Sequence, residues 1–337
     1  MSPGGPSPAA APTETSQAHR RYLSMVARTV VSGALLGFLG WKVPLGTVWA
    51  AITQFPRSGL LLCLLVTVGQ LLVGVLRWHR LLRRTGEEVR YRELLFDHLV
   101  ASAYNMVLPS AMGGDVIRAY RGGQRLRHPH HAWATTLLER VVGVMCLALI
   151  ALPGIAVVPG AEPLRLPSLA LVAAGVLVLV AAKAPLRFVS KLALSRAPKL
   201  AALTEGVAAD LEGPLGTAAA RGEAFGWTLL YQALGLSILA AVVAPTGDRA
   251  LVVAIYTGLP LIVIASMLPV SIAGLGLRES LFVLVLGRLG VREPVALALA
   301  LVWLGTYVFL AVLGVICALL TPTPIPPSGA ERGNLPE

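Results

Sequence analysis

Long apolar runs separated by short polar and basic stretches set the pattern of the chain. Runs at about 23–41, 58–77, 132–153, 166–183, 222–243 and 295–320 each approach the roughly 20 residues that a helix needs to cross a bilayer. Two further regions, 94–120 and 250–290, are apolar but interrupted by proline and glycine, whereas 42–57 and 184–221 read as amphipathic or loop pieces. The flanks lack any such pattern. Residues 1–19 form a Pro/Ala-rich tail expected to be disordered, and 321–337 form a Pro-rich tail. No small-residue cleavage site closes the first run, which predicts a retained helix rather than a signal peptide.

Lys and Arg in short loops mark the cytoplasmic side of membrane helices. Arg77, Arg80, Arg83, Arg84, Arg90 and Arg92 crowd together after the second run, which puts that loop, and both termini with it, in the cytoplasm. The stretch 184–221, with Arg187, Lys191, Arg196, Lys199 and Arg221, falls on the same side. A further cluster, Arg118, Arg121, Arg125 and Arg127, would lie on the wrong side if 94–117 crossed once. The conflict disappears if 94–109 enters from the cytoplasm, breaks at Pro109 and returns through 113–120 as a re-entrant hairpin. Irregular backbone at membrane depth is tolerated only inside protein or along a watery cavity. Region 250–290 behaves likewise from the opposite side, breaking near Pro269. The predicted fold is an all-α polytopic membrane protein of about six spanning helices plus two opposed re-entrant helical hairpins, eight or so membrane segments.

The two breaks resemble each other. Leu108-Pro109 is followed by Gly114 and Arg118, and Leu268-Pro269 by Gly274 and Arg278, at the same spacing. With the opposed topology, this predicts an inverted repeat with halves at about 20–160 and 161–320 and a site between them.

Composition agrees with membrane residence. Hydrophobic residues make up 56% and charged residues 13% of the chain, with mean hydropathy +0.75. The net charge of +11 would otherwise suggest nucleic acid, but the basic residues lie between apolar runs, so nucleic acid is not an expected partner. The same basic loops would favour an anionic inner leaflet. Cys63, Cys146 and Cys317 are dispersed through apolar runs and read as packing thiols.

Chemistry concentrates at the breaks. In the first, Pro109 stops the incoming arm, Ser110 suits an N-cap, and Gly113 and Gly114 permit close approach. A helix start at that depth offers free N–H groups to an anion such as phosphate. Asp115 fits the helix dipole, whereas Arg118 calls for an anion or Asp115 to neutralise it. A structural Asp115–Arg118 pair, with Arg118 reaching toward the cytoplasm, is the plainer alternative. In the second break, Ser271 can cap, Gly274 and Gly276 allow close approach, and Arg278 and Glu279 are sequence neighbours that should face different partners. Glu139-Arg140 either pairs with a hairpin or forms a helix-end pair. Intramembrane charges are functional candidates by default. His128-Pro129-His130-His131 reads as a basic interfacial loop, since no Cys or carboxylate accompanies it in sequence, so no metal or cofactor is expected. Trp41, Trp49, Trp78 and Trp133 read as interfacial anchors. Neither a Gly-x-x-x-x-Gly-Lys-Ser/Thr phosphate loop nor a Gly-x-Ser-x-Gly elbow occurs, and no enzymatic activity is expected.

The run Asn105–Tyr120, with Glu139-Arg140 and the later segment Leu268–Gly287, resembles the lysylphosphatidylglycerol synthase transmembrane family, also called flippase-like integral membrane proteins. The resemblance extends over about 20–320. It implies that the family's Asn, Pro, Gly-Gly-Asp and Arg fall on Asn105, Pro109, Gly113, Gly114, Asp115 and Arg118, and its acidic-Arg pair on Glu139-Arg140. Its later Pro, Ser, Gly-x-Gly and Arg-Glu fall on Pro269, Ser271, Gly274, Gly276, Arg278 and Glu279, with Ala273 departing from a usual Gly. The aminoacyl-transferring domain of some relatives is absent from the sequence, so synthesis of the lipid is not expected of it.

Three readings remain open. The first is a flippase-like transporter in a bacterial-type cytoplasmic (inner) membrane, moving a phospholipid or polyprenyl-phosphate-linked headgroup between leaflets. Arg118, Arg278 and Arg140 would hold the phosphate. Without an ATP site, movement would be passive or proton-coupled, with Asp115, Glu139 and Glu279 as carriers. The second is a non-transporting partner subunit of a lipid or glycan biosynthesis enzyme. The third is an integral-membrane glycosyltransferase.

Overall fold

The computed structural model describes residues 37, 43–108, 113–181, 198–268 and 275–320. The expected first helix apart from Gly37, Trp41, both tails, residues 184–197 of the 184–221 stretch, and Pro109, Ser110, Pro269, Ser271 and Gly274 lie outside the described residues.

Among the described residues there are eleven α-helices and no strand. They are α1 (Leu45–Thr53), α2 (Arg57–Arg84), α3 (Tyr91–Val107), α4 (Gly113–Gly123), α5 (His130–Val157) and α6 (Arg165–Ala181). Then follow α7 (Pro198–Glu212), α8 (Ala218–Val243), α9 (Arg249–Ser266), α10 (Leu277–Arg288) and α11 (Glu293–Leu320). Six helical segments are long and apolar enough to cross a membrane: 57–84, 130–157, 162–179, 218–246, 249–266 and 293–320. Five coincide with predicted runs. The sixth, α9, was expected as one arm of a hairpin, yet its 18 residues suffice in length and hydropathy by themselves.

The helices show the one-sided pattern of a membrane bundle. Along α2, Cys63, Thr67, Leu71, Gly74, Val75 and Trp78 turn inward at helical spacing, while Leu61, Leu62, Leu64 and Leu65 stay exposed. Exposed leucines on such a helix are the surface that acyl chains cover. Two boundaries are set by side-chain caps: Thr217 Oγ1 accepts from Ala220 N at the start of α8, and Asp248 Oδ1 from Leu251 N at the start of α9.

Packing between helices rests on small residues. A Cβ on Gly59 would run into the Val242 carbonyl, one on Gly314 into the Leu99 carbonyl, and one on Gly154 into Thr257. These glycines let α2 approach α8, α11 approach α3, and α5 approach α9, as helices do where lipid supplies no hydrophobic drive. The first broken pair, α3–α4, packs on α2, α5 and α11; the second, α9–α10, packs on α8, α5 and α11.

The chain doubles back within the first pair. Asp97, early in α3 and fully buried, is clamped by Arg121 Nε at 2.9 Å, in the last turn of α4, and by Arg125 Nε at 2.6 Å, in the turn that follows. The basic residues therefore gather at one end of the bundle, where Arg84 also pairs with Glu223 at 2.7 Å.

Two expectations need correction. Arg77 is not a loop residue: α2 continues to Arg84, and Arg77 is 6% exposed inside the bundle. Trp78 is not an interfacial anchor either, being fully buried with its Nε1 donating to Thr135 Oγ1 at 3.2 Å. The apolar run loses its hydropathy before the helix loses its buried face, so the last turns of α2 looked like a loop.

Gly314→Leu should lower the thermal unfolding temperature of detergent-purified protein sharply, since overpacking a close crossing costs about 1–3 kcal/mol or more. Gly305→Leu, at a position with open space around it, should leave the temperature unchanged. Equal effects of the two would show that the close crossings are not limiting.

Candidate functional site

A cavity of about 230 Å³ lies where α2, α3, α4, α5, α8, α9, α10 and α11 meet. Its polar lining includes Gln70, Arg77, His98, Asn105, Asp115, Arg118, Glu139, Arg140, Tyr231, Gln232 and Arg278. Four arginines face it against two carboxylates.

Glu139 sits at the centre of the charge network. It lies nine residues into α5, about 14 Å along the axis from the first helical residue. Arg77 Nε donates to Glu139 Oε1 at 3.0 Å, and Arg118 Nη2 donates to Oε2 at 2.6 Å. All three residues are buried, at 4% for Glu139, 6% for Arg77 and 3% for Arg118. One carboxylate thus joins α2, α4 and α5.

Asp115 forms the second node. Its Oδ1 is 3.6 Å from Arg118 Nη2, and its Oδ2 pairs with Arg140. Hence the local Asp115–Arg118 pair exists, but the shorter bond of Arg118 is to Glu139. The Glu139-Arg140 pair is also placed: both residues reach across to α4.

Aromatic rings cover three of the four guanidinium groups. Arg77 lies 4.5 Å from the Tyr231 ring centroid, Arg118 4.9 Å from Trp78 and Arg278 5.3 Å from Tyr307. Such stacking stabilises a cation where water is scarce while leaving edge N–H groups free. Arg118 Nε and His98 Nδ1 are buried without a hydrogen-bond partner among the described residues.

The helix ends at the breaks are resolved differently. Asn105 Oδ1 accepts from Gly114 N at 2.6 Å, and a Cβ at Gly114 would overlap that amide. Gly113 is bare because Leu108 lies against it. Asn105, Gly113 and Gly114 therefore fasten the two arms, with Asn105 also lining the cavity. At the second break Gly276 has φ +79°, and its N–H donates to Glu279 Oε2 at 2.7 Å. The carboxylate of the third helical residue, Glu279, so closes the helix start.

Glu279 also receives Arg278, whose Nε and Nη2 donate to Oε1 at 3.1 and 2.8 Å. Separate partners for these neighbours were expected, and this is a correction. Their Cβ atoms do point apart, but Glu279 curls back over the helix start, within reach of the long Arg278 side chain.

Sequence reasoning missed Arg77, Tyr231, Thr228, Gln70 and Gln232. Thr228 Oγ1 accepts from Arg77 Nη1 at 3.4 Å, and Gln232 Nε2 donates to the Gly143 carbonyl at 3.3 Å. Uncharged polar residues inside an apolar run leave only a weak signal. The histidine loop also differs from expectation, because a carboxylate does accompany it: His131 Nδ1 is 2.7 Å from Asp210 Oδ2, contributed from 79 positions away.

Fold and site together define a polytopic helical membrane protein with a buried, cation-rich cavity at its helix breaks. A family model described as the lysylphosphatidylglycerol synthase TM region matches residues 25–314. The chain belongs to the lysylphosphatidylglycerol synthase transmembrane family. No curated protein matches it significantly.

Glu139→Ala should destabilise the protein by about 3–5 kcal/mol, because it leaves buried arginines without their counter-charge. Glu223→Ala, which breaks a more exposed pair, should cost less than about 1 kcal/mol. Chemical unfolding in detergent measures both, and the expected order is Glu139→Ala far above Glu223→Ala.

Proposed function

We propose that the protein is a flippase-like transporter that moves a phosphate-bearing lipid headgroup, of a phospholipid or a polyprenyl-phosphate-linked lipid, between leaflets. The observation that carries this reading is the buried cavity in which four arginines meet three acids, Asp115 and Glu139 in the lining and Glu279 behind Arg278, so that one positive charge is left over. A phosphate supplies the missing negative charge and matches the planar donor fork of arginine. The buried, unpartnered Nε of Arg118 is a donor available to it.

The topology proposed with it is two re-entrant hairpins, α3–α4 and α9–α10, related by an inverted repeat. Exchange of α2 with α8, α3 with α9, α4 with α10 and α5 with α11 maps the packing of one broken pair onto that of the other. The close glycine crossings exchange as well, since α5 meets α9 at Gly154 as α11 meets α3 at Gly314. The basic end, with Arg84, Arg121 and Arg125, faces the cytoplasm of a bacterial-type inner membrane in this reading, and both termini lie on that side.

A glycosyltransferase needs a carboxylate free for metal or base work. Both carboxylates of the cavity, Asp115 and Glu139, are already held by arginines, so the geometry favours transport.

Purified protein in liposomes containing fluorescent phospholipids of different headgroups tests the proposal through leaflet accessibility. Headgroup-dependent movement is expected, with Arg118→Ala and Arg278→Ala each reducing it by an order of magnitude or more, as loss of an arginine–phosphate pair implies. Arg118→Lys keeps the charge without the fork and should fall between. Undiminished movement in correctly folded Arg118→Ala and Arg278→Ala would sink the assignment and favour the partner-subunit reading.

A further inference from the structure

Outside the cavity, at the basic end of the bundle, a second polar cluster has no part in the transport reading. His130 and His131 open α5, and Asp210 lies near the end of α7. His131 Nδ1 is 2.7 Å and His130 Nε2 3.8 Å from the same oxygen, Asp210 Oδ2. Ligand atoms of His130, His131 and Asp210 all fall within 4.8 Å of one another. On the far side of His131, its Nε2 stands 3.8 Å from Glu87 Oε1, in the turn between α2 and α3. Asp210 is 4% and Glu87 6% exposed.

The surroundings are shaped for this cluster. Gly206 precedes Asp210 by one helical turn on α7, and a Cβ there would overlap the His130 ring. One face of α7 thus offers bare backbone to one imidazole and, a turn later, a carboxylate to both. The rings of His130 and His131 lie 4.4 Å apart, and His128 is 5.5 and 5.4 Å from them. A single His–Asp hydrogen bond would satisfy His131. It does not account for a second ring admitted by a glycine to the same oxygen.

We propose that His130, His131 and Asp210 form a binding site for a divalent transition-metal ion of zinc-like preference. Zinc takes imidazole and carboxylate ligands at about 2.0–2.2 Å, so ligand atoms around a tetrahedral ion stand roughly 3.3 Å apart. The two spacings to Asp210 Oδ2 bracket that value, and small side-chain rotations bring both to it. With His131 bound through Nδ1, its Nε2–H faces Glu87, the carboxylate that orients a metal-bound imidazole. The fourth position is left to water or to His128. Such an ion would tie the ends of α5 and α7 to the α2–α3 turn, the elements that lead to Glu139 and Arg77. The inference stands whether or not the cavity carries a lipid.

The test uses full-length protein in detergent, purified without a polyhistidine tag, stripped with a chelator and titrated with zinc chloride. One zinc per chain should survive desalting and raise the unfolding temperature. Asp210→Asn and His130→Gln should abolish retention, and Glu87→Gln should weaken it roughly 10- to 100-fold. Cobalt in the unaltered protein gives a readout independent of how the variants fold: tetrahedral visible bands that zinc bleaches are expected. No retained zinc, retention unchanged in folded Asp210→Asn and His130→Gln, or a cobalt spectrum like that in buffer would each overturn the proposal.

Discussion

The structure hangs on one carboxylate. Glu139 accepts Arg77 on one oxygen and Arg118 on the other, deep enough in the bundle that all three are nearly sealed from solvent. Removing three charges from water carries a large desolvation penalty, offset only when geometry and hydrogen bonding are good. That requirement fixes α2, α4 and α5 relative to one another more tightly than apolar packing does, because leucines slide where an ion pair cannot. Asp115 and Arg140 extend the constraint back to the same two elements, α4 and α5.

Around that centre, the breaks deal with the same problem by different means. Ending a helix inside the bundle frees N–H and C=O groups that no water satisfies at membrane depth. In the first break, Asn105 on the incoming arm reaches an amide of the outgoing one. In the second, Glu279 bends back onto the amide of Gly276 within its own helix start. The first device ties two arms together, whereas the second is local to the start of α10. Glu279 is consequently occupied twice, by the Gly276 amide and by Arg278.

Much of this was legible in the sequence, for physical reasons. Charged residues inside apolar runs are expensive, so Asp115, Arg118, Glu139, Arg140 and Arg278 stood out, and all five line the cavity. Helices were legible from run length, whereas the pairing of Arg121 and Arg125 with Asp97 was not, since it joins residues 24 and 28 positions apart. Arg77 was misread because hydropathy cannot distinguish a helix that has left the apolar layer from a loop. Tyr231 and Gln232 were invisible because a single polar atom barely lowers the hydropathy of a run. Asp210 was missed because its partner His131 lies 79 residues away, and spacing rules see only local ligands.

The balance of the cavity bears on how the proposed transport would proceed. A pocket of bare arginines would bind phosphate too firmly to release it, and would be hard to keep folded when empty. Here each guanidinium that faces the first break already has an acid partner, Glu139 or Asp115. In the proposed transport, a headgroup phosphate entering the cavity would exchange one anionic partner for another, so the change in electrostatic energy would be the difference between two similar interactions. Differences of that kind are small even where each interaction is strong. Reversible occupancy would then follow from the same ion network that holds the helices, and exchange would begin at Arg118, one nitrogen of which has no partner among the described residues.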